Sequence, residues 1–546
     1  MSLQEHSLPG GSPLTIRPTG AGSPTSRSLG WLPERAVTIA AVVSMGTHLL
    51  FLSQRLGDDE GGYAMVARFW GQPGHYLYGP QWVDRPPVLI LVFAIGDHLG
   101  PYGVRLMAGV LATVLVIAAG YAAGAVRGRQ AAGWAAWTAL AFSSSTLLQG
   151  EKLDGELVAA TFVMVSMALL LHAGYVPAPT RRITWLAVGS GAAAVAAVFS
   201  KQNFLDGLVF AFVLWSMGRL QRRTSRAFAP DRRRAIARGY LAGAVTVSVL
   251  VLGWASIGGK LGALIYAMYG FRIDAAAVMA QWSFAAPMHR VHILVVIAVV
   301  SGLALLVALL GITQVWRLPR RGPVAYAVAA AFGVAVIGVL GGGSFWTHYL
   351  LALVPTTALA AGIVASDRLR SPRGLRTSAW WTRVLVVLSL LVMIARLPWA
   401  YLEVHGPETS YGIGRWIGAS AAPDDTISIL YTHADLIQAS GLAPAYPYSW
   451  SLPIRTLDPH LELMVSTLNG PHPPTWFVRY DAAHLWGLDP GNRVQTALDN
   501  HYVEVADING HTVWLHDGRS RQLAPLRRGQ AVTPAGVAAG ARGAGL

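Results

Sequence analysis

The sequence predicts an α-helical polytopic membrane protein with about eleven transmembrane helices and a small C-terminal α/β domain. Of its 546 residues, 53% are hydrophobic and only 13% are charged, whereas a soluble domain carries about 25% charged residues. The mean hydropathy is +0.44, and apolar runs near the roughly 20 residues that a helix needs to cross a bilayer recur along the chain. A soluble globular protein is therefore excluded.

The predicted transmembrane domain covers residues 31–400 and follows a Ser-, Gly- and Pro-rich segment, 1–30, that is predicted to be disordered. A shorter run over 86–99 begins at two prolines and is predicted to lie at the membrane interface. The eleven predicted spans lie at about 36–52, 104–125, 131–148, 157–175, 183–200, 204–218, 240–257, 291–315, 323–340, 350–366 and 384–400.

Basic residues recur after every second predicted span, and the net charge is +15. Because Lys and Arg are retained on the cytoplasmic side, these junctions and the N-terminus are predicted to be cytoplasmic. The basic excess is thereby explained by membrane topology, which excludes a nucleic-acid partner. The clusters are Arg127 and Arg129, Arg181 and Arg182, Arg219 to Arg238, Arg317 to Arg321, and Arg368 to Arg383.

The composition changes after Trp399, where the long apolar runs end. Residues 401–522 are predicted to form an extracytoplasmic α/β domain, since an odd number of spans separates them from the N-terminus. A second disordered tail is predicted over 523–546. The chain contains no Cys, which excludes disulfides and Cys-ligated zinc. The predicted strands are 426–431, 475–480 and 502–506, and the predicted helices are 434–440 and 493–501.

Two acidic clusters fall on junctions that are predicted to be external. Asp58, Asp59 and Glu60 follow the first span, and Asp154 lies in the acidic segment 151–156 before the fourth. Each cluster alone is typical of the start of a helix, where carboxylates cap the backbone. At an outer interface the same groups stay ionised, and they can accept a proton or bind a cation.

Cationic residues also lie on the external junctions, against the positive-inside trend: Arg85, Arg105, Lys201, Arg272 and Arg290. A single such residue is typical of a side chain that extends along the membrane interface. Together, guanidinium and ammonium groups match the charge and geometry of a phosphate. An external site with carboxylates and phosphate-binding cations beside lipid indicates transfer of a group from a lipid-linked phosphate.

These motifs, in this order, resemble the GT-C glycosyltransferases of the protein mannosyltransferase and lipid A aminoarabinose transferase type. The resemblance covers about residues 36–365. The chain departs from the family pattern in the additional acid Asp58 and in Gln202-Asn203, which replaces a Gly-Pro. The matching segments are Asp59-Glu60 with Tyr63-Ala64, Asp84-Arg85-Pro86-Pro87, Gly100 to Arg105, Asp154, Ser200-Lys201, and Phe345 to Pro355.

The resemblance implies a GT-C fold and an inverting transfer of a hexosyl or pentosyl group. The donor would be a polyprenyl-phosphate sugar, and the acceptor a cell-envelope glycan, lipid or protein at the outer face of the membrane. The carboxylate base is expected to be Asp59, with Asp58 and Glu60 as alternatives. Asp154 is expected to position the acceptor or the sugar.

The remaining expected site residues are cations and aromatic groups. No cofactor follows from the motifs, and Mg²⁺ or Mn²⁺ at Asp58, Asp59 and Glu60 is left open, because hard carboxylate oxygens suit these ions. The donor phosphate is assigned to Arg85, Lys201 and Arg105, and the substrates to Tyr63, His348 and Tyr349.

Two other functions compete with this interpretation. A transporter or flippase of lipid-linked sugars would place its ionisable residues near the bilayer midplane, often in repeated halves. Here the carboxylates cluster at span ends, and the sequence contains no visible repeat. A non-catalytic membrane scaffold would leave the acidic loops without a role.

Overall fold

The structure of the protein is a computed structural model that describes residues 34–220, 230–281, 285–315, 322–367, 373–404, 409–526 and 531–532. The predicted N-terminal tail lies outside these residues, as do the whole basic junction from Arg317 to Arg321 and parts of the junctions at 219–238 and 368–383. Most of the predicted C-terminal tail also lies outside them, while its first residues, 523–526, run along the C-terminal domain, where Trp416 Nε1 donates a hydrogen bond to the Ala524 carbonyl.

A helix occupies the place of every predicted span. In lipid, each backbone N–H and C=O must be paired within the chain, and helices satisfy this requirement locally. The helices are α1 (Arg35–Leu49), α2 (Asp58–Phe69), α3 (Pro87–His98), α4 (Gly103–Arg127), α5 (Arg129–Ser143), α6 (Gly155–Tyr175), α7 (Thr180–Ser200), α8 (Asp206–Leu220), α9 (Pro230–Ile257), α10 (Leu261–Ile265), α11 (Phe271–Ala280), α12 (Ala285–Val300), α13 (Leu303–Val315), α14 (Pro323–Gly341), α15 (Val354–Ala365) and α16 (Arg373–Val404).

In the described part of the chain, seven helical segments are long and apolar enough to cross a membrane, or eight if the bent pair α12 and α13 forms one span. The axes of α12 and α13 differ by 73°. Between the two helices, Gly302 adopts a left-handed backbone conformation with a φ of +83°. The predicted span 291–315 is therefore two helices. The interfacial segment predicted over 86–99 is the short apolar helix α3.

A further span-like segment, Leu261–Ala280, lies where the sequence predicted an external loop. Arg272 and Asp274 interrupt its apolar run in the sequence. In the structure Arg272 contacts the Asp84 carboxylate, while Asp274 is exposed and its Oδ2 atom accepts a hydrogen bond from the Tyr266 hydroxyl at 2.7 Å. Both charged side chains therefore have a polar partner or solvent, and the helix continues past them.

The C-terminal domain contains a six-stranded sheet within the described residues, with the strand order β2-β1-β3-β5-β4-β6. Strand β1 pairs in parallel with β2 and β3, and the other pairs are antiparallel. The three predicted strands and both predicted helices are present. The strands are β1 (Thr426–Ile429), β2 (Ala443–Pro444), β3 (Trp476–Arg479), β4 (Tyr502–Ile508), β5 (His511–His516) and β6 (Ala531–Val532). The helices are α17 (Thr409–Ser420), α18 (Ala434–Ser440), α19 (Ser451–Leu457), α20 (Glu462–Leu468) and α21 (Arg493–His501).

This domain packs directly on α2, through α18 and the loop before α19. A Cβ on Gly61 would lie 2.5 Å from the Asp435 Cα, and one on Gly62 would lie 2.2 Å from Trp450 Cζ2. Neither separation is available to a real side chain. The two adjacent glycines therefore allow the acidic start of α2 to approach the C-terminal domain.

The acidic and aromatic junctions meet at the end of the bundle that carries this domain. At the opposite end, Arg127 pairs with Asp367 at 3.5 Å, and Arg383 Nε donates to the Ala365 carbonyl at 2.8 Å. Within the described residues, the basic junctions of Arg127 and Arg383 thus lie at the end opposite the acidic ones, as the charge pattern predicts. Which side of the membrane each end faces stays a prediction.

Candidate active site

The three acids at the start of α2 face three different surroundings. The Asp58 side chain is 55% exposed, and its Oδ1 atom lies 3.4 Å from His433 Nδ1. Asp59 Oδ1 accepts a hydrogen bond from Trp450 Nε1 at 3.0 Å. Glu60 is buried. The triplet is therefore not one chelating group, because successive residues on a helix point about 100° apart.

Glu60 and Arg105 form a buried ion pair that ties three loops together. Arg105 Nη1 lies 2.6 Å from Glu60 Oε1, which also accepts from the Leu153 amide at 2.8 Å. Glu60 Oε2 accepts from the Gly57 amide at 3.2 Å, which caps α2. Arg105 donates further to three loop carbonyls: those of Gln54, Arg55 and Glu151. This placement favours a structural role for both residues over the predicted roles in proton transfer and phosphate binding.

Asp154 precedes α6 and is buried, and its Oδ2 atom makes no hydrogen bond within the described residues. His348 Nδ1 lies 3.7 Å from this oxygen and donates to Gln149 Oε1 at 3.0 Å. Burial, with the nearby carboxylates of Glu60, Glu156 and Asp59, raises the pKa of Asp154 well above its usual range. A protonated Asp154 can donate a hydrogen bond to a substrate oxygen.

Lys201 follows α7 and contacts Glu156 on α6. Its ammonium group also lies 4.6 Å from the centre of the Tyr349 ring, a cation–π distance. His348 Nε2 lies 3.8 Å from the same Glu156 carboxylate. One carboxylate and one ammonium leave no net charge here, so a phosphate at Lys201 would compete with Glu156.

Arg85 belongs to a group that keeps net positive charge. Arg85 Nη1 lies 2.6 Å from Asp84 Oδ2, and Arg272 on α11 contacts the same oxygen. Burial would raise the pKa of Asp84, but Arg272 and Arg85 hold it below its usual range. Two guanidinium groups and one carboxylate leave a charge of +1, which is suited to an anionic ligand.

Aromatic side chains lie between the Arg85 group and the Asp59 carboxylate. The Tyr63 ring lies 5.4 Å from Phe93 and 5.6 Å from Trp450, measured between ring centres. The Arg85 guanidinium carbon lies 5.6 Å from the centre of the Tyr63 ring. Tyr63 therefore connects the Arg85 group with Trp450, which in turn contacts Asp59. His348 and Tyr349 lie beside Asp154 and Lys201 instead.

Most of the predicted site residues thus come together, and five residues outside the prediction join them. Asp84 lies within the Asp-Arg-Pro-Pro motif, and Glu156 within the second acidic cluster, so their sequence positions indicated them. Trp450, His433 and Asp435 come from the C-terminal domain. No local pattern in the sequence connects these three with α2.

Solved structures are similar to this chain in their overall fold. ArnT from Cupriavidus metallidurans bound to undecaprenyl phosphate matches with a TM-score of 0.60 and 16% identity, over 88% of this chain and 97% of that chain. The oligosaccharyltransferase of Archaeoglobus fulgidus tethered with an acceptor peptide matches with a TM-score of 0.52 and 12% identity, over 92% and 75% of the two chains. Both are glycosyltransferases of the GT-C superfamily.

This chain has the GT-C fold. The resemblance predicted from the motifs is therefore confirmed at the level of the fold. Neither a protein-family model nor a curated protein matches the sequence. At the identities found, the shared GT-C fold establishes architecture, and the roles of individual residues follow from their own contacts.

Proposed function

We propose that this protein is an inverting membrane glycosyltransferase that moves a sugar from a polyprenyl phosphate to a cell-envelope acceptor. The observation that carries the proposal is the Tyr63-linked arrangement of the Asp59 carboxylate and the Arg85–Asp84–Arg272 group. A glycosyl transfer from a lipid phosphate needs these two features together, a base for the acceptor and positive charge for the leaving group. The neighbour ArnT, with the same fold, was solved with undecaprenyl phosphate.

In the proposed reaction, the acceptor hydroxyl oxygen attacks the anomeric carbon of the donor sugar. The bond between this carbon and the phosphate oxygen breaks, and polyprenyl phosphate leaves with the electron pair. Asp59 takes the proton of the acceptor hydroxyl. Of the three acids on α2, Asp59 suits this role best, because Glu60 is held by Arg105 and Asp58 faces His433.

The leaving phosphate is assigned to Arg85 and Arg272. A guanidinium has five N–H donors, and within the described residues the side-chain hydrogen bonds of Arg85 use Nη1 alone. The donors on Nε and Nη2 remain for phosphate oxygens. Lys201 would act near the sugar with Glu156, and Asp154, when protonated, would donate to a sugar or acceptor hydroxyl.

The predicted location completes the proposal. The protein would be a multi-pass protein of the cell membrane, with a cytoplasmic N-terminus and an extracytoplasmic C-terminal domain. The separation of basic and acidic junctions at opposite ends of the bundle supports this orientation. The acceptor would then be a glycan, lipid or protein outside the membrane.

The test is sugar transfer by the purified protein in proteoliposomes that contain labelled polyprenyl-phosphate sugars. Asp59→Asn is expected to lower turnover by roughly 10²- to 10⁴-fold, the usual contribution of a general base. Asp424→Asn, at an exposed position of the C-terminal domain, is the matched control. Movement of intact donor across the bilayer without any transfer would support a flippase instead and would refute the proposal.

A further inference from the structure

A second cluster of titratable groups lies where α2 meets the C-terminal domain. Asp58 begins α2, His433 directly precedes α18, and Asp435 lies in the first turn of α18. His433 Nδ1 is 3.4 Å from Asp58 Oδ1 and 3.5 Å from Asp435 Oδ1. One ligand atom from each of the three side chains lies within 4.8 Å of the other two.

The inner two members of this cluster have buried polar atoms that lack hydrogen bonds. Asp435 is 1% exposed, and within the described residues neither its Oδ1 atom nor His433 Nδ1 has a hydrogen-bond partner. The other oxygen of Asp435 accepts from Ser410 Oγ at 2.6 Å, which holds the carboxylate in place. Buried polar atoms are nearly always paired. Here the two atoms face each other at 3.5 Å without a hydrogen bond, and a metal ion bound to both would satisfy them.

The imidazole of His433 is also held in one orientation. Its ring centre lies 3.8 Å from that of Tyr480, and Tyr480 stacks at 3.8 Å on His511. His511 Nδ1 lies 2.9 Å from the Tyr480 carbonyl. A side chain that is already held in one orientation loses less conformational freedom when it binds a ligand.

The separations match those between the ligands of a tetrahedral zinc ion. Zinc binds imidazole nitrogen at about 2.0–2.1 Å and carboxylate oxygen at about 2.0–2.2 Å, which places neighbouring ligand atoms about 3.4 Å apart. The two distances from His433 Nδ1 agree with this value. Imidazole is a poor ligand for Mg²⁺ and Ca²⁺, which take oxygen ligands, and a good one for zinc.

We propose that Asp58, His433 and Asp435 bind one Zn²⁺ that joins α2 to the C-terminal domain. The exposed side of Asp58 leaves the fourth position to water. Of the acidic triplet in which the sequence left a divalent cation open, only Asp58 takes part. Since Asp59 is the next residue of α2, the ion also fixes the start of the helix that carries the proposed base.

The test measures zinc binding and is independent of sugar transfer. The full-length protein in detergent is stripped of metal with a chelator and titrated with ZnCl₂ by calorimetry, with metal content checked by mass spectrometry. We expect one zinc per chain and a higher melting temperature with zinc. Asp58→Asn and His433→Asn are each expected to weaken zinc affinity by about 100-fold or more, since loss of even a supporting group costs about 10- to 100-fold.

Both variants are chosen to keep the fold. Asp58 is half-exposed, and Asn tolerates the left-handed backbone of His433, which has a φ of 71°. The matched control is His516→Asn, which changes a histidine that lies 3.6 Å from Asp517 outside the cluster. The control is expected to bind zinc as the wild type does.

Three results would overturn the proposal. A wild-type protein that binds no stoichiometric zinc would leave the cluster as a histidinium between two carboxylates. Wild-type zinc affinity in both Asp58→Asn and His433→Asn would place any bound zinc elsewhere. Tighter binding of MgCl₂ or MnCl₂ than of ZnCl₂ in the same titration would refute the assigned metal.

Discussion

Glu151 is expected to make the free energy of unfolding depend on pH. Its side chain is buried in the loop before α6, and its Oε2 atom makes no hydrogen bond within the described residues. Burial raises the pKa of Glu151 from 4.5 to about 7. Below pH 4.5 the carboxyl group is protonated in both folded and unfolded chains, and no stability is lost.

Between pH 4.5 and 7 the unfolded chain releases this proton while the folded chain retains it, so the free energy of unfolding falls as the pH rises. A shift from 4.5 to about 7 corresponds to about 3 kcal/mol, at 1.36 kcal/mol for each pH unit. Above pH 7 the loss is complete. Glu151→Gln keeps the shape of the protonated acid and does not ionise, so it is expected to escape this loss.

The assay is unfolding of wild type and Glu151→Gln in the same detergent at pH values from 4.5 to 8. We expect equal stability at pH 4.5 and a gain of about 3 kcal/mol for the variant at pH 8. Glu462→Gln, at an exposed position on α20, controls for loss of one negative charge. A difference between Glu151→Gln and wild type that does not change with pH, or a less stable variant at pH 8, would refute this reasoning.

Arg85→Ala is expected to weaken use of the lipid donor by one to two decades in transfer kinetics, because a charge-assisted hydrogen bond contributes about 1.5–3 kcal/mol. Arg85→Lys should recover only part of this, since an ammonium cannot replace the guanidinium fork, and unchanged donor use in Arg85→Ala would contradict the assignment. Gly62→Ala is expected to lower the melting temperature and the turnover together, since its Cβ would overlap Trp450; wild-type values for both would show that the contact is loose. Reporter fusions at about residues 225 and 450 should report opposite sides of the membrane, and the same side for both would refute the predicted topology.

The sequence is informative about the helices and about the acids at their ends. Apolar runs of sufficient length fold as helices in lipid regardless of the rest of the chain, and Asp59 and Asp154 lie at such ends. The hairpin of β4 and β5 also had a local signal, Asn509-Gly510, whose positive φ values of 56° and 83° form the turn. This dipeptide is typical of a hairpin turn and indicates a strand after it, whereas the predicted strands end at residue 506.

The contacts within the candidate site could not be predicted from local sequence patterns, because they join residues that are distant in the sequence. Lys201 and Arg105 were predicted to bind phosphate from their charge, their external position and the family resemblance, but Glu156 and Glu60 contact them in the folded chain. Arg272 gained its importance only through Asp84, 188 residues away in sequence. Charge in a sequence shows which groups can meet, whereas packing decides which groups neutralise each other.

The contact between Trp450 and Asp59 spans 391 residues of the chain, and this separation has a consequence for biosynthesis. At a synthesis rate of about 5–20 residues per second, the loop with Asp59 is made about 20–80 s before its indole partner. During this interval the start of α2 lacks its cover, with two glycines and a row of carboxylates bare. A chain released before residue 450 would keep its transmembrane helices but would lack the indole that binds Asp59, so the site would stay incomplete.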